Sequence, residues 1–144
     1  MSDKYYFAVF CPEDGGGYTV WFPDVPEANT QGDDLGEAMF MAADALRESL
    51  EEYVAARKDI PQPSSLEDVQ ASAAATIKEL GIVPCGPLAY PPIAIPNLDA
   101  TPVKLGISMP RNVLAEIDRK AKLNGMTRSG FLAAAALAWP AAAN

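Results

Sequence analysis

The chain has 144 residues, 49% apolar and 21% charged, with a net charge of −8, a composition that folds rather than one that stays disordered. Histidine is absent, which removes the commonest general base, the Ser-His and Cys-His nucleophile pairs and most catalytic metal sites. No run approaches the roughly 18 consecutive apolar residues of a membrane span, and residues 1–5 lack a basic segment leading into an apolar one, so the chain reads as cytoplasmic and free of membrane.

Charge is divided unevenly along the chain. Residues 1–102 carry five bases against seventeen acids, a net −12, whereas residues 103–144 carry six bases against two acids, a net +4. An acidic body joined to a basic tail suits two partners of opposite sign. Cys11 and Cys85 are far apart without CxxC spacing and read as two reduced thiols, and a bare pair cannot form a zinc site.

In chain order, "KYYFAVF" (Lys4–Phe10) is aromatic and β-branched on both faces, as suits a strand covered on both sides. "CPEDGGG" is a turn whose three glycines supply positive φ angles, and "YTVWF" (Tyr18–Phe22) is the returning strand. "PDVP" halts the ladder, because proline lacks an N–H, and a short third strand follows around Ala28–Gln31. Asp34 with Glu37 fits a capping box. From there Leu35, Ala38, Ala42, Leu46, Leu50, Tyr53 and Val54 form one apolar stripe, with Asp44, Glu48, Glu51 and Glu52 opposite, which predicts an amphipathic helix from Leu35 to about Arg57 lying on the sheet.

Residues 59–98 are proline-rich and the least legible. "DIPQPSS" reads as a loop, "SLEDVQASAAATIKELG" as a helix ending at Gly81, and Leu88–Ile95 as an edge strand added to the first sheet. "NLDATP" reads as a domain boundary.

The tail opens with "VKLGISM". Val103, Leu105, Ile107 and Met109 face one way, and Lys104, Gly106 and Ser108 the other, the pattern of a half-buried strand. Pro110 ends it and opens a helix with the stripe Val113, Leu114, Ile117 and Ala121. Asn124 and Gly125 read as a left-handed stop, and Thr127 caps a second helix carrying Phe131, Leu132, Ala135 and Ala136. A lone strand has unpaired backbone on both edges, and about 40 residues are too few for a core of their own. The economical partner is the same strand from a second copy, paired antiparallel about a two-fold axis. Such a ribbon fits the DNA major groove and would present Lys104, Gly106 and Ser108 twice. Arg111 suits a phosphate contact, and Thr127, Arg128 and Ser129 start a helix whose free N–H groups and cation suit another.

Residues 103–138, through this strand, the proline, "LAEID" and "NGMTRSGFL", closely resemble a ribbon-helix-helix DNA-binding domain. "GGYTVWFPDVPEANTQGDDLGEAM" resembles the signature of the HicB antitoxin family. The resemblance implies an α+β chain: a partial RNase H-like β-β-β-α domain with a further possible strand over residues 1–98, and a ribbon-helix-helix dimerisation module over 103–139. It implies an antitoxin that holds and blocks a HicA-like, mRNA-cleaving toxin and represses its own operon by binding operator DNA. The assembly is then a homodimer through the tail, with room for a tetramer through the amino-terminal domain. Many relatives place a polar side chain where Gly106 stands, which leaves base reading there either weak or made by backbone approach alone.

For the toxin, the acids Asp24, Glu27, Asp33 and Asp34 read as a cluster between the third strand and the helix, attractive to a protein with a nucleic-acid surface. Nuclease activity would need convergent carboxylates holding metal ions. "KYYFAVF" has none, so no catalytic residue, metal or cofactor is expected. A competing reading is a solitary ribbon-helix-helix transcription factor whose first domain senses a ligand or protein. Tyr18 and Trp21 suit either core or interface.

Overall fold

The computed structural model describes residues 4–141 and divides into two compact units between Ala100 and Thr101. In the first unit, β1 (Tyr5–Phe7) and β2 (Val9–Pro12) run nearly end to end through Ala8. On one side β2 pairs antiparallel with β3 (Tyr18–Phe22), which pairs with β4 (Val25–Gly32). On the other side β1 pairs with β5 (Pro92–Ala94). The ladder to this side continues past β1: Ala8 and Phe10 donate their N–H groups to the carbonyls of Pro91 (3.0 Å) and Ala89 (2.8 Å). Residues 4–12 are therefore the centre of one antiparallel surface in the spatial order β5, β1/β2, β3, β4.

Alternation of side chains along that central stretch decides the layers. Tyr6, Ala8 and Phe10 point into the main core with Val20, Phe22 and the buried face of α1 (Leu35–Ala55), which is Ala38, Ala42, Leu46 and Leu50. Phe7 and Val9 point the other way, against Val69 and Ala73 of α2 (Leu66–Leu80), with Trp21, Leu88 and Tyr90. The sheet is thus covered on both faces, as the composition of "KYYFAVF" requires. Tyr18 packs against the first cluster and Trp21 against the second.

Several boundaries differ from the sequence expectation for local reasons. "KYYFAVF" is divided at Ala8 rather than forming one strand. The third strand begins at Val25, not near Ala28, and includes Pro26. Proline is tolerated there because β4 has a neighbour on one side only, and the register between β3 and β4 slips at Trp21/Phe22 to absorb it. Asn29 donates from its side chain to the Pro26 carbonyl at 2.7 Å, satisfying part of that edge. In the hairpin only Gly15 and Gly16 have positive φ, both 95°. Gly17 serves close approach instead, since a Cβ there would lie 3.0 Å from the Gly32 carbonyl oxygen.

Helix ends follow capping chemistry. Asp34 accepts the Glu37 N–H (2.8 Å), and the Glu37 carboxylate accepts the N–H of Asp33 (3.0 Å), one residue earlier than the usual reciprocal partner. α1 stops at Ala55, because Arg57 takes a left-handed φ of 56° and the N–H of Lys58 turns back to the Tyr53 carbonyl (2.9 Å). Ser65 and left-handed Gly81 bracket α2.

The second unit contains α3 (Arg111–Leu123) and α4 (Arg128–Ala138). Met126 and Gly125 donate to the carbonyls of Ala121 (2.8 Å) and Lys122 (3.1 Å), closing α3 with a Schellman pair. Gly125 alone is left-handed (φ 65°); Asn124, expected to share that role, has φ −102°. Residues 103–109 form no strand within the single chain, because no other segment of the described residues offers them a ladder.

Gly32 joins β4 to α1 at a distance that excludes any side chain, for a Cβ would sit 2.4 Å from the Ala38 nitrogen and 2.6 Å from its Cα. Gly32→Ala is expected to lower the unfolding free energy by about 2 kcal/mol or more, since backbone must move to admit the methyl group. Denaturant unfolding at neutral pH checks this.

Candidate functional site

In the second unit, residues 103–109 and the facing sides of α3 and α4 bound an open groove of about 890 Å³. Its apolar wall includes Leu105, Ile107, Leu114 and Leu132. Val103, Leu105 and Ile107 are 75%, 81% and 67% exposed, and α4 buries no residue in the single chain. Large apolar side chains held this far into water, in a row with unpaired backbone, are an unfinished surface.

Lys104, Gly106 and Ser108 alternate with this row and are exposed, and open space surrounds the position a Gly106 Cβ would take. Arg111 is the first residue of α3 and exposed. Thr127 caps α4 by accepting the Gly130 N–H at 3.1 Å, and its hydroxyl lies 3.5 Å from that of Ser129.

Arg128 is less available than the sequence suggests. Its guanidinium donates two hydrogen bonds of 2.9 Å to the Asp118 carboxylate, tying the start of α4 to α3. The pairing holds the Asp118 carboxyl below its ordinary range and raises Arg128. Arg119 and Lys120 are likewise paired, with Glu116. Lys104, Arg111 and Lys122 are the tail cations without an ion pair among the described residues. Two of these three stand on or beside the 103–109 segment.

The four acids of the first unit do not form the cluster expected from sequence. Asp24 precedes β4 while Asp33 and Asp34 follow it, which separates them by up to about 30 Å at about 3.3 Å per strand residue. Three of the four carboxylates hold the fold. Asp24 accepts from the Ser64 N–H (2.8 Å) and hydroxyl (2.5 Å). Glu27 accepts from the Tyr53 hydroxyl (2.9 and 3.1 Å), which raises the pKa of that phenol. Asp34 caps α1. Asp33 is exposed and carries no side-chain hydrogen bond among the described residues.

The Asp24–Ser64 pair was invisible in sequence because forty positions separate its members. It works with buried Tyr6, whose hydroxyl donates to the Pro61 carbonyl at 2.5 Å and is raised in pKa chiefly by burial. Together they tie Pro61 and Ser64 of the α1–α2 loop to β1 and to the β3–β4 turn. Among the described residues, no group of three or more Asp, Glu or Cys is placed to hold a metal ion, and no helix is long and apolar enough to cross a membrane.

A family model described as the HicB-like antitoxin of bacterial toxin-antitoxin systems matches residues 5–136, spanning both units. The chain belongs to this family. Antitoxin HicB 2 of Photorhabdus laumondii is 41% identical over 81 residues, covering 54% of this chain and 58% of that protein. Antitoxin HicB of Escherichia coli K12 is 44% identical over 61 residues, 42% of this chain and 44% of the relative. The chain thus spans about half the length of the curated relatives it matches. Among solved structures, a toxin-antitoxin complex from Streptococcus pneumoniae superposes with a TM-score of 0.55 at 19% identity, over 94% of this chain and 98% of that one. The crystal structure of antitoxin HicB3 gives 0.50 at 21%, over 92% and 95%. At these identities the two structures establish that the fold is shared.

Asp24→Ala would strand the Ser64 N–H and hydroxyl in a half-buried position, at a cost of about 1–3 kcal/mol. Native-state hydrogen exchange is expected to show faster exchange at the Ser64 amide, with the amides of β3 unaffected.

Proposed function

We propose that this chain is an antitoxin that blocks a HicA-like, RNA-cleaving toxin through residues 1–98 and represses its own operon through a ribbon-helix-helix dimer formed by residues 103–139. The observation that carries the DNA-binding half is the unfinished segment 103–109. Its apolar row is exposed, its backbone has no ladder among the described residues, and its other row carries Lys104 and Ser108 with Arg111 adjacent. Pairing with the same segment of a second copy satisfies the backbone and buries both apolar rows at once. Burial of Val103, Leu105 and Ile107 stabilises by roughly 1.5–3 kcal/mol for each side chain fully covered. The two-stranded ribbon then presents Lys104, Gly106 and Ser108 from both copies to the major groove, and Lys104 and Arg111 of each copy supply the charge. Thr127, Arg128 and Ser129 flank the ribbon at the start of α4, where backbone N–H groups suit a phosphate. Arg128 enters that contact by sharing its guanidinium with Asp118.

The toxin-blocking half rests on membership of the antitoxin family and on the acidic first unit. Blocking of this kind is steric and electrostatic: the antitoxin covers the face with which the toxin holds RNA, and no bond is made or broken. Of the four acids singled out in sequence, Asp33 has the freest carboxylate for such a contact, while Asp24, Glu27 and Asp34 would contribute charge from fixed positions.

Light scattering of the purified chain is expected to give at least a dimer at micromolar concentration; a monomer there would remove the ribbon. Lys104→Ala is expected to weaken binding to the DNA upstream of its own gene. The loss is about 1–3 kcal/mol for a residue that reads a base edge, and less, with a shallower salt dependence, for one that touches phosphate alone. Unchanged operator binding would exclude Lys104 from the interface.

A further inference from the structure

The outward side of α1 carries an exposed aromatic ring, Phe40, that the fold does not use. At 100° per residue, Phe40 lies about 200° round the helix from both Ala38 and Ala42, the centre of the buried stripe. It is 70% exposed. Of its neighbours on the adjacent turns, Gly36 and Ala43 are small and Glu37 and Asp44 are acidic, so no large apolar side chain on them covers the ring. Leu35 and Met39, though 54% and 38% exposed, lie about 140° and 100° round the helix from Phe40, on the side of the buried stripe. An exposed aromatic ring on the solvent side of an otherwise well-packed helix is the composition of an interface centre rather than of free surface.

Acids line one flank of Phe40. Glu37, Asp44, Glu48 and Glu51 fall on the arc just beyond Phe40, all but the half-buried Asp44 exposed. The single base of the helix, Arg47, is paired with Asp44, and α1 as a whole carries five acids against that one base. An aromatic ring with acids along one flank fits a partner that is basic beside an apolar depression. We propose that this face of α1, with Phe40 as its anchor, is where the toxin docks. The proposal rests on the antitoxin reading and deepens it: a nuclease that holds RNA by its phosphates must carry a basic RNA face. The acidic flank would steer that face onto the helix, and Phe40 would fill the partner's apolar depression.

The test uses the full chain and the purified small protein encoded beside its gene. Phe40→Ser is expected to bind that protein at least about thirtyfold more weakly, the loss typical of a central anchor. Its thermal unfolding should match the wild type, since the ring makes little contact within the chain. Glu51→Lys is expected to slow association severalfold at low salt, with the difference shrinking as salt rises. Leu80→Ser removes a side chain of α2 that is 66% exposed and is expected to leave affinity unchanged. Wild-type affinity in both Phe40→Ser and Glu51→Lys, or an equal loss in Leu80→Ser, overturns the proposed site while the antitoxin reading stands. A smaller particle for Phe40→Ser alone, without partner, would assign the face to a second copy of this chain and overturn it as well. If the wild-type chain does not bind the neighbouring protein, the antitoxin reading falls and this site falls with it.

Discussion

Extended backbone must find hydrogen-bond partners, and the two units meet that demand in opposite ways. Residues 4–12 are paired on both sides, with β3 along one edge and with residues 85–95 along the other. That double pairing makes them the centre of the sheet, and the centre forces two covered faces. α1 supplies one cover through Ala38, Ala42, Leu46 and Leu50, and α2 supplies the other through Val69 and Ala73. The proline-rich stretch finds its purpose here. Pro91 and Pro92 occupy an outer edge where a missing N–H is no loss, and they leave that edge unattractive to further strands.

In the tail the same demand goes unmet. Residues 103–109 have the alternation of a strand and the exposure of a surface that has not been closed. Under the proposed function one event closes it, forming the ladder, burying the apolar row and creating the DNA-facing row together. Dimerisation and operator binding would then be linked, because the binding surface would not exist in the single chain.

Charge placement is consistent with a division of labour but is finer than the totals suggest. Several tail bases are neutralised by neighbouring acids, Arg128 by Asp118 and both Arg119 and Lys120 by Glu116, so the cations left free concentrate at Lys104, Arg111 and Lys122. In the acidic unit, Asp24, Glu27 and Asp34 are occupied in holding loop, helix and cap. Their charge remains, but their geometry is spoken for, which moves attention to acids on the outer side of α1.

Local rules made much of the molecule legible in advance. The β-hairpin, α1 with its Asp34 cap, α2 between Ser65 and Gly81, and the pair of tail helices all follow from periodicity, proline, glycine and capping residues that act within a few positions. Even the exposure of Phe40 was available from the helical repeat, since it falls in the polar arc. What the sequence could not supply were relations between distant residues: the Asp24–Ser64 and Tyr6–Pro61 ties, the separation of the four acids by the length of β4, and the closeness of Gly32 to Ala38. The sequence by itself determined which segments are helix or strand and which faces are apolar, because those depend on neighbours along the chain. Only the tertiary structure decided which polar groups are already occupied and which stand free, because partners in a fold are chosen by proximity in space.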